Sequence, residues 1–256
     1  MSATDDVLVE QRGRVLVVTI NRPKQKNAMT LAGSEIIAKA VDRLDGDPSL
    51  AAAVLTGIGG TFCAGMDLKR FAAGERPAVP GRGFGGLVQA PPSKPLIAAV
   101  EGWALGGGFE LVLACDLVVA GESSRLGVPE VKRGLVARGG GMIRLPQRLP
   151  RSVALELLLT GDPIDAARAE RLGLVNRVVA DGGTLDAALD LAGRIADNAP
   201  LAVACAKAVA DAAPEWTQDE AWERQSVLSD PVFASEDARE GARAFSERRA
   251  PVWLGR

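Results

Sequence analysis

Two residue types are missing altogether: the 256-residue chain has no histidine and no tyrosine. Without an imidazole there is no Ser-His-Asp or Cys-His arrangement, since both rely on that ring to activate the nucleophile. Carboxylates become the leading candidates for general acid and base. Cysteine is scarce as well. Cys63, Cys115 and Cys205 are odd in number, sit in apolar surroundings and lack CxxC spacing, so they read as buried thiols of a reducing compartment, not as a zinc site. A large excess of either charge is also missing. With a formal net charge of -2 and no long run of Lys or Arg, neither nucleic acid nor an anionic membrane is indicated as a partner, and any anionic ligand has to be met locally. No apolar stretch reaches ~18 uninterrupted residues, and the N-terminal MSATDDVLVEQ lacks the basic, apolar and small-residue order of a leader. A cytoplasmic protein is the expectation.

A hydrophobic content of 47% is enough to bury a core as one domain, or as one domain with a smaller appendage. Strand-like runs recur as VLVVTI (15–20), AAAVLTG (51–57), PLIAAVEG (95–102), DLVVAG (116–121) and VNRVV (175–179). Helical spacing of apolar residues appears between them, over Thr30 to Leu44 and Gly107 to Cys115. This alternation predicts an α/β core with crossover connections. The last quarter is helix-like without an intervening strand, which suggests a helical subdomain beginning near residue 200. One segment, GERPAVPGRGFGGLVQAPPSKP (74–95), is too rich in Gly and Pro for a long helix. A plain surface loop and a flap that shapes a substrate site are equally open readings of it.

Gly106, Gly107 and Gly108 lie directly between a strand-like and a helix-like run. Such a junction leaves backbone NH groups free at a helix start, and glycine lets a ligand come close. An oxyanion or phosphate is the natural guest, although a turn made of glycine for packing alone is the competing reading. The segment is neither a P-loop nor a GxGxxG turn. Glu110 follows one helical turn later inside the otherwise apolar FELVLAC. It is either an acid favourably placed against the helix dipole, worth about 0.3 to 1 kcal/mol, or a buried carboxyl whose raised pKa suits proton transfer. Glu130, fixed behind Pro129, reads by itself as a capping or surface acid. Upstream, GGTFCAGMDLKRF offers a second glycine-containing turn ahead of a helix, with Met66 at the bend and Asp67 as its N-cap.

Taken in order, NRPKQKNAM (21–29), CAGMDLKRF, WALGGGFE, GVPEVKRG and LTGDPIDAARAERLGLVNRVV (159–179) resemble the crotonase, or enoyl-CoA hydratase and isomerase, family, over about residues 7 to 250. The resemblance implies a spiral of repeated ββα units over residues 1–199 with the acyl-CoA site, and a helical oligomerisation region over 200–256 that builds a homotrimer or a dimer of trimers. It also implies an oxyanion hole made by the NH groups of Met66 and Gly107, with Glu110 activating water and Glu130 delivering a proton to the substrate. Lys24, Lys26, Ala64, Asp67, Leu68, Lys69, Gly106 and Pro129 fall at positions that face the substrate or its coenzyme. Phe245 and Arg248 match positions that reach a neighbouring subunit's coenzyme. No cofactor is bound permanently on this reading, and coenzyme A arrives as part of the substrate thioester. The implied activity is syn hydration of a 2-enoyl-CoA to a 3-hydroxyacyl-CoA. Double-bond isomerisation on the same fold is the alternative, and a non-catalytic acyl-CoA-binding protein is the alternative of another class. One departure stands out: the chain reads ARGGGM (137–142) where relatives often have Pro-Gly-Ala-Gly-Gly. Arg138 is thereby expected beside the site, reshaping the acyl pocket or meeting a polar substrate tail.

Overall fold

The computed structural model describes residues 5–256, so the first four residues of the N-terminal MSATDDVLVEQ lie outside it. The chain opens with the hairpin β1 (Val7–Arg12) and β2 (Val15–Ile20), then α1 (Leu31–Gly46), β3 (Ala52–Gly57) and the short α2 (Leu68–Ala72). A small hairpin, β4 (Ala78–Val79) and β5 (Gly83–Phe84), precedes β6 (Leu96–Val100), β7 (Trp103–Leu105), α3 (Gly107–Ala114), β8 (Leu117–Gly121) and β9 (Arg125–Gly127). After these come α4 (Gly141–Arg148), α5 (Arg151–Thr160), β10 (Ile164–Asp165), α6 (Ala166–Arg171) and β11 (Arg177–Val179). Four helices end the chain: α7 (Thr184–Ala196), α8 (Pro200–Ala212), α9 (Gln218–Phe233) and α10 (Glu236–Glu247).

Six strands form the main sheet in the order β1-β2-β3-β6-β8-β11, and every pairing beyond the first hairpin is parallel. Parallel strands covered on both faces read as unbroken apolar runs, and this is why β3 and β6 stand out in the sequence. Successive side chains alternate between two cores. Leu16, Val18, Ala53, Leu55 and Ala98 join Ile37 of α1 and Phe109 and Leu113 of α3 in the larger one, whereas Val15, Val54, Ile97 and Ala99 pack against Ala188 and Ala192 of α7.

A second sheet, β10-β9-β7, was not visible as strands in the sequence. Its members are two or three residues long, too short to show a period of two. They nevertheless define the repeat: β6 steps off the main sheet into β7 and then α3, and β8 steps off into β9. This is the ββα spiral expected of a crotonase fold. α8 and α9 differ from the other long helices, for neither buries a single residue within the chain. Among the described residues no helix is long and apolar enough to cross a membrane.

Candidate active site

β7 and β9 run side by side and parallel, with Leu105 opposite Gly127. Parallel neighbours end at the same edge of their sheet, so the segments leaving them start side by side. β7 runs into the glycine turn and α3, β9 into Pro129 and a 3-10 turn over Pro129–Arg133. Gly106 N–H donates to Gly127 O at 2.9 Å and fastens the two exits together. Glu110, in the first turn of α3, and Glu130 are thus brought to one place from segments that the sequence separates by two strands, β8 and β9.

Glu110 is 4% exposed, and its Oε1 accepts the Gly141 N–H at 2.9 Å. Burial pushes its carboxyl up to about 7, helped by the nearby Glu130 charge and opposed by the Gly141 hydrogen bond. The turn around it is built to that carboxylate: a Cβ at Gly139 would collide with Glu110 Oε2. Glu130 also sits above the ordinary carboxylate range because of burial. Its Oε2 is shut off from solvent and meets no hydrogen-bond partner among the described residues. A Cβ at Gly106 would come within 3.2 Å of Glu130 Oε1, so the glycine turn lies against the second acid as well.

Two amides are left free beside these acids. The segment around Met66 pairs in parallel with residues 26–29 through Met29 N–H to Gly65 O at 2.8 Å and Asp67 N–H to Met29 O at 3.2 Å. In that pattern the bonds go to residues 65 and 67, and Met66 N–H faces the other way. No acceptor among the described residues takes it. Gly107 opens α3, where a helix has no internal partner for its NH. The two turns are in contact: at Gly65, held at a φ of +99°, a Cβ would be 3.4 Å from Gly107 N and 2.9 Å from Leu105 O. Asp67 caps α2, accepting from Lys69 N–H and Arg70 N–H. Ala64 N–H donates to Lys26 O at 3.0 Å, while the side chains of Lys24, Lys26, Leu68 and Lys69 are exposed around this edge.

The 74–95 segment is more than a surface loop. Its hairpin carries Phe84 onto the glycine turn, where a Cβ at Gly107 would run into the Phe84 ring. Sequence reasoning did not single out Phe84; an aromatic residue inside a run of glycines was the available signal. Gly139 and Gly141, not Arg138, turn toward Glu110, and the Arg138 side chain is exposed. The cation nearer the site is Arg144, half-buried, whose Nη2 donates to Val88 O at 2.7 Å and so ties α4 to the Phe84 segment. Phe245 is 88% exposed, and Arg248 caps the end of α10 in the left-handed conformation. Cavities of about 350 and 520 Å³ occur between the C-terminal helices and the final residues, and neither is lined by Glu110 or Glu130.

Residues 10–256 match the family model described as enoyl-CoA hydratase/isomerase. The chain is 43% identical to enoyl-CoA hydratase EchA19 of Mycobacterium tuberculosis, over 98% of this chain and 97% of that protein. It is also 43% identical to the carnitinyl-CoA dehydratase of Proteus mirabilis, over 96% and 97%. Among solved structures, an enoyl-CoA hydratase from Mycobacterium tuberculosis H37Rv superposes with a TM-score of 0.97 at 56% identity, covering 98% of this chain and all of that one.

Proposed function

This chain belongs to the enoyl-CoA hydratase/isomerase family, and from that premise we propose that it hydrates a 2-enoyl-CoA thioester to the 3-hydroxyacyl-CoA by syn addition of water. Relatives named as a hydratase and as a dehydratase both support the coarser statement, a hydro-lyase acting on a coenzyme A thioester. The observation that carries the finer reading is the convergence of one buried and one half-buried carboxyl, both with raised pKa, on one glycine turn with free amides.

As the water oxygen bonds to C3, its proton passes to Glu110. The C2=C3 electron pair moves toward C1 and charge builds on the thioester oxygen, which the Met66 and Gly107 NH groups receive. Donors already in place cost no reorganisation, and loss of one from such a hole costs about 2.7 to 4 kcal/mol. Glu130 then gives a proton to C2. Its unpartnered, buried Oε2 favours the protonated form needed for that step. Coenzyme A enters with the substrate, and the exposed Lys24, Lys26 and Lys69 would meet its phosphates.

A second reading, removal of water from a 3-hydroxyacyl-CoA with a polar tail, is favoured by the equal similarity to a carnitinyl-CoA dehydratase. A panel of enoyl- and 3-hydroxyacyl-CoA esters, assayed by loss of enoyl absorbance and by mass spectrometry, separates the two. Wild type is expected to turn over at least one ester, and Glu110→Gln and Glu130→Gln to lose that activity. Hydration lost in Glu110→Gln with 3-enoyl to 2-enoyl transfer intact would make the protein an isomerase. Tight binding of every ester without product would make it a carrier.

The exposed Trp222, Val227 and Phe233 of α9 and the absence of buried residues on α8 and α9 support assembly into a trimer or a dimer of trimers. In that assembly Phe245 and Arg248 would reach a neighbouring chain's coenzyme.

A further inference from the structure

The Met66 NH can stabilise a developing oxyanion only if its direction is fixed, and the segment that fixes it is itself an unfavourable one. Residues 26–29, which pair with Gly65 and Asp67, pass through two consecutive non-glycine residues in the left-handed region, Lys26 at φ +50° and Asn27 at φ +56°. Asn27 is fully buried and holds its own bend. Its Oδ1 accepts the Arg22 N–H at 2.9 Å, and its Nδ2 donates to Ile58 O at 2.8 Å and Thr61 O at 2.5 Å.

The Arg22 side chain completes the frame and is only 10% exposed. Its Nη1 donates to Ala28 O, on the strand that pairs with Met66. Its Nη2 donates to Asp67 Oδ2 at 3.1 Å, one residue beyond Met66 on the other strand. Its Nε lies 3.3 Å from Asp6 Oδ1, and the other oxygen of Asp6 accepts the Thr30 hydroxyl at 2.5 Å. One planar guanidinium therefore grips both sides of the Met29–Met66 bridge and is anchored behind by Asp6. A lysine in its place offers a point charge with no fixed fork and cannot hold the three partners in one plane.

We infer that Arg22 is a positioning residue for the oxyanion hole: by bridging Ala28 O and the Asp67 carboxylate it sets the direction of the Met66 NH. The inference rests on the Met66 donor of the proposed hydratase reading. Arg22 touches no substrate on this account and acts through the backbone of residues 64–67.

The test uses the full-length protein and two variants, Arg22→Lys and Asp67→Asn. The second removes the charge that Arg22 grips while keeping a residue that caps α2 well, so the test survives if the first variant fails to fold. Two readouts are taken, steady-state kinetics and the absorbance band of bound 4-dimethylaminocinnamoyl-CoA. That conjugated thioester absorbs at longer wavelength when donors polarise its carbonyl. Wild type is expected to shift the band of the bound probe, and the variants to lose most of the shift. Their kcat is expected to fall roughly ten- to a hundredfold with KM within about threefold, the mark of lost transition-state alignment. A merely structural role would lower the melting temperature and leave the band of the folded protein in place. Folded variants with the full shift and wild-type kcat overturn the inference for Arg22 alone. Wild type that binds the probe without any shift overturns the Met66 donor and this inference with it.

Discussion

Replacing Glu110 by glutamine should abolish catalysis and yet stabilise the protein, more so as the pH rises. Burial lifts the Glu110 carboxyl from an ordinary 4.5 to about 7. The folded state therefore holds this proton more tightly than the unfolded chain, which favours folding at acid pH. The benefit is complete below about pH 4.5 and is lost as pH climbs through 7, because the folded protein must then ionise a buried acid. At about 1.4 kcal/mol per pH unit, the difference amounts to about 3 kcal/mol once both states are ionised. Glutamine has no charge to bury, and its side-chain oxygen can still accept the Gly141 N–H that Glu110 accepts at 2.9 Å. The Glu130 charge adds to the wild-type penalty and Arg144 relieves part of it. Between pH 5 and pH 8 the stability gap should widen by about 2 to 3 kcal/mol in favour of the variant. Urea midpoints of both proteins across that range, at one protein concentration so that association contributes equally, measure it directly. A gap that stays flat, or that widens toward acid pH, would refute the assignment of Glu110 as a buried acid with a raised pKa.

The neighbouring acid is tested by its own variant. Activity should rise as Glu110 ionises near pH 7, and Glu130→Gln, which has no proton to give to C2, should lower the rate about 10²- to 10⁴-fold along that limb; a variant with the wild-type rate means Glu130 is not the proton donor. Gly107→Ala drives a Cβ into the Phe84 ring, so it should cost activity that Phe84→Ala partly restores, with a coupling of about 0.5 to 3 kcal/mol in the double-mutant cycle. Additive losses would place Phe84 elsewhere. Sedimentation should give three or six times the 26.6 kDa chain mass, with the combined Val227→Asp and Phe233→Asp variant reduced to smaller species; a monomeric wild type would leave the apolar face of α9 without its expected cover.

The main sheet was legible because β2, β3, β6 and β8 are long enough to declare themselves as apolar runs, and α1 because Thr30 caps a regular amphipathic pattern. The glycine turns were legible as places where amides come free. The partners of those turns were not. Nothing in FELVLAC or GVPEVKRG says that Glu110 and Glu130 meet, and only the ordered set of family motifs put them in one site. Arg22 escaped notice because its role is to reach Ala28 and Asp67, contacts between loops that carry no periodic signature. Arg138 drew attention by its identity, but the backbone at Gly139 to Gly141 decides which side faces Glu110, and that side had to be glycine.

These gaps have a common cause. Periodicity reports which face of a segment is buried, whereas the site depends on register between short segments, such as Leu105 opposite Gly127 and Met29 opposite Met66. A slip of one residue between β7 and β9 would turn the buried Leu126 outward and carry Glu130 away from Gly106. It would leave the composition and hydropathy of both segments unchanged. The two acids and the two amides are therefore held together by pairings of two or three residues, and a substitution that loosens such a pairing should impair catalysis well before it unfolds the sheet to which they are attached.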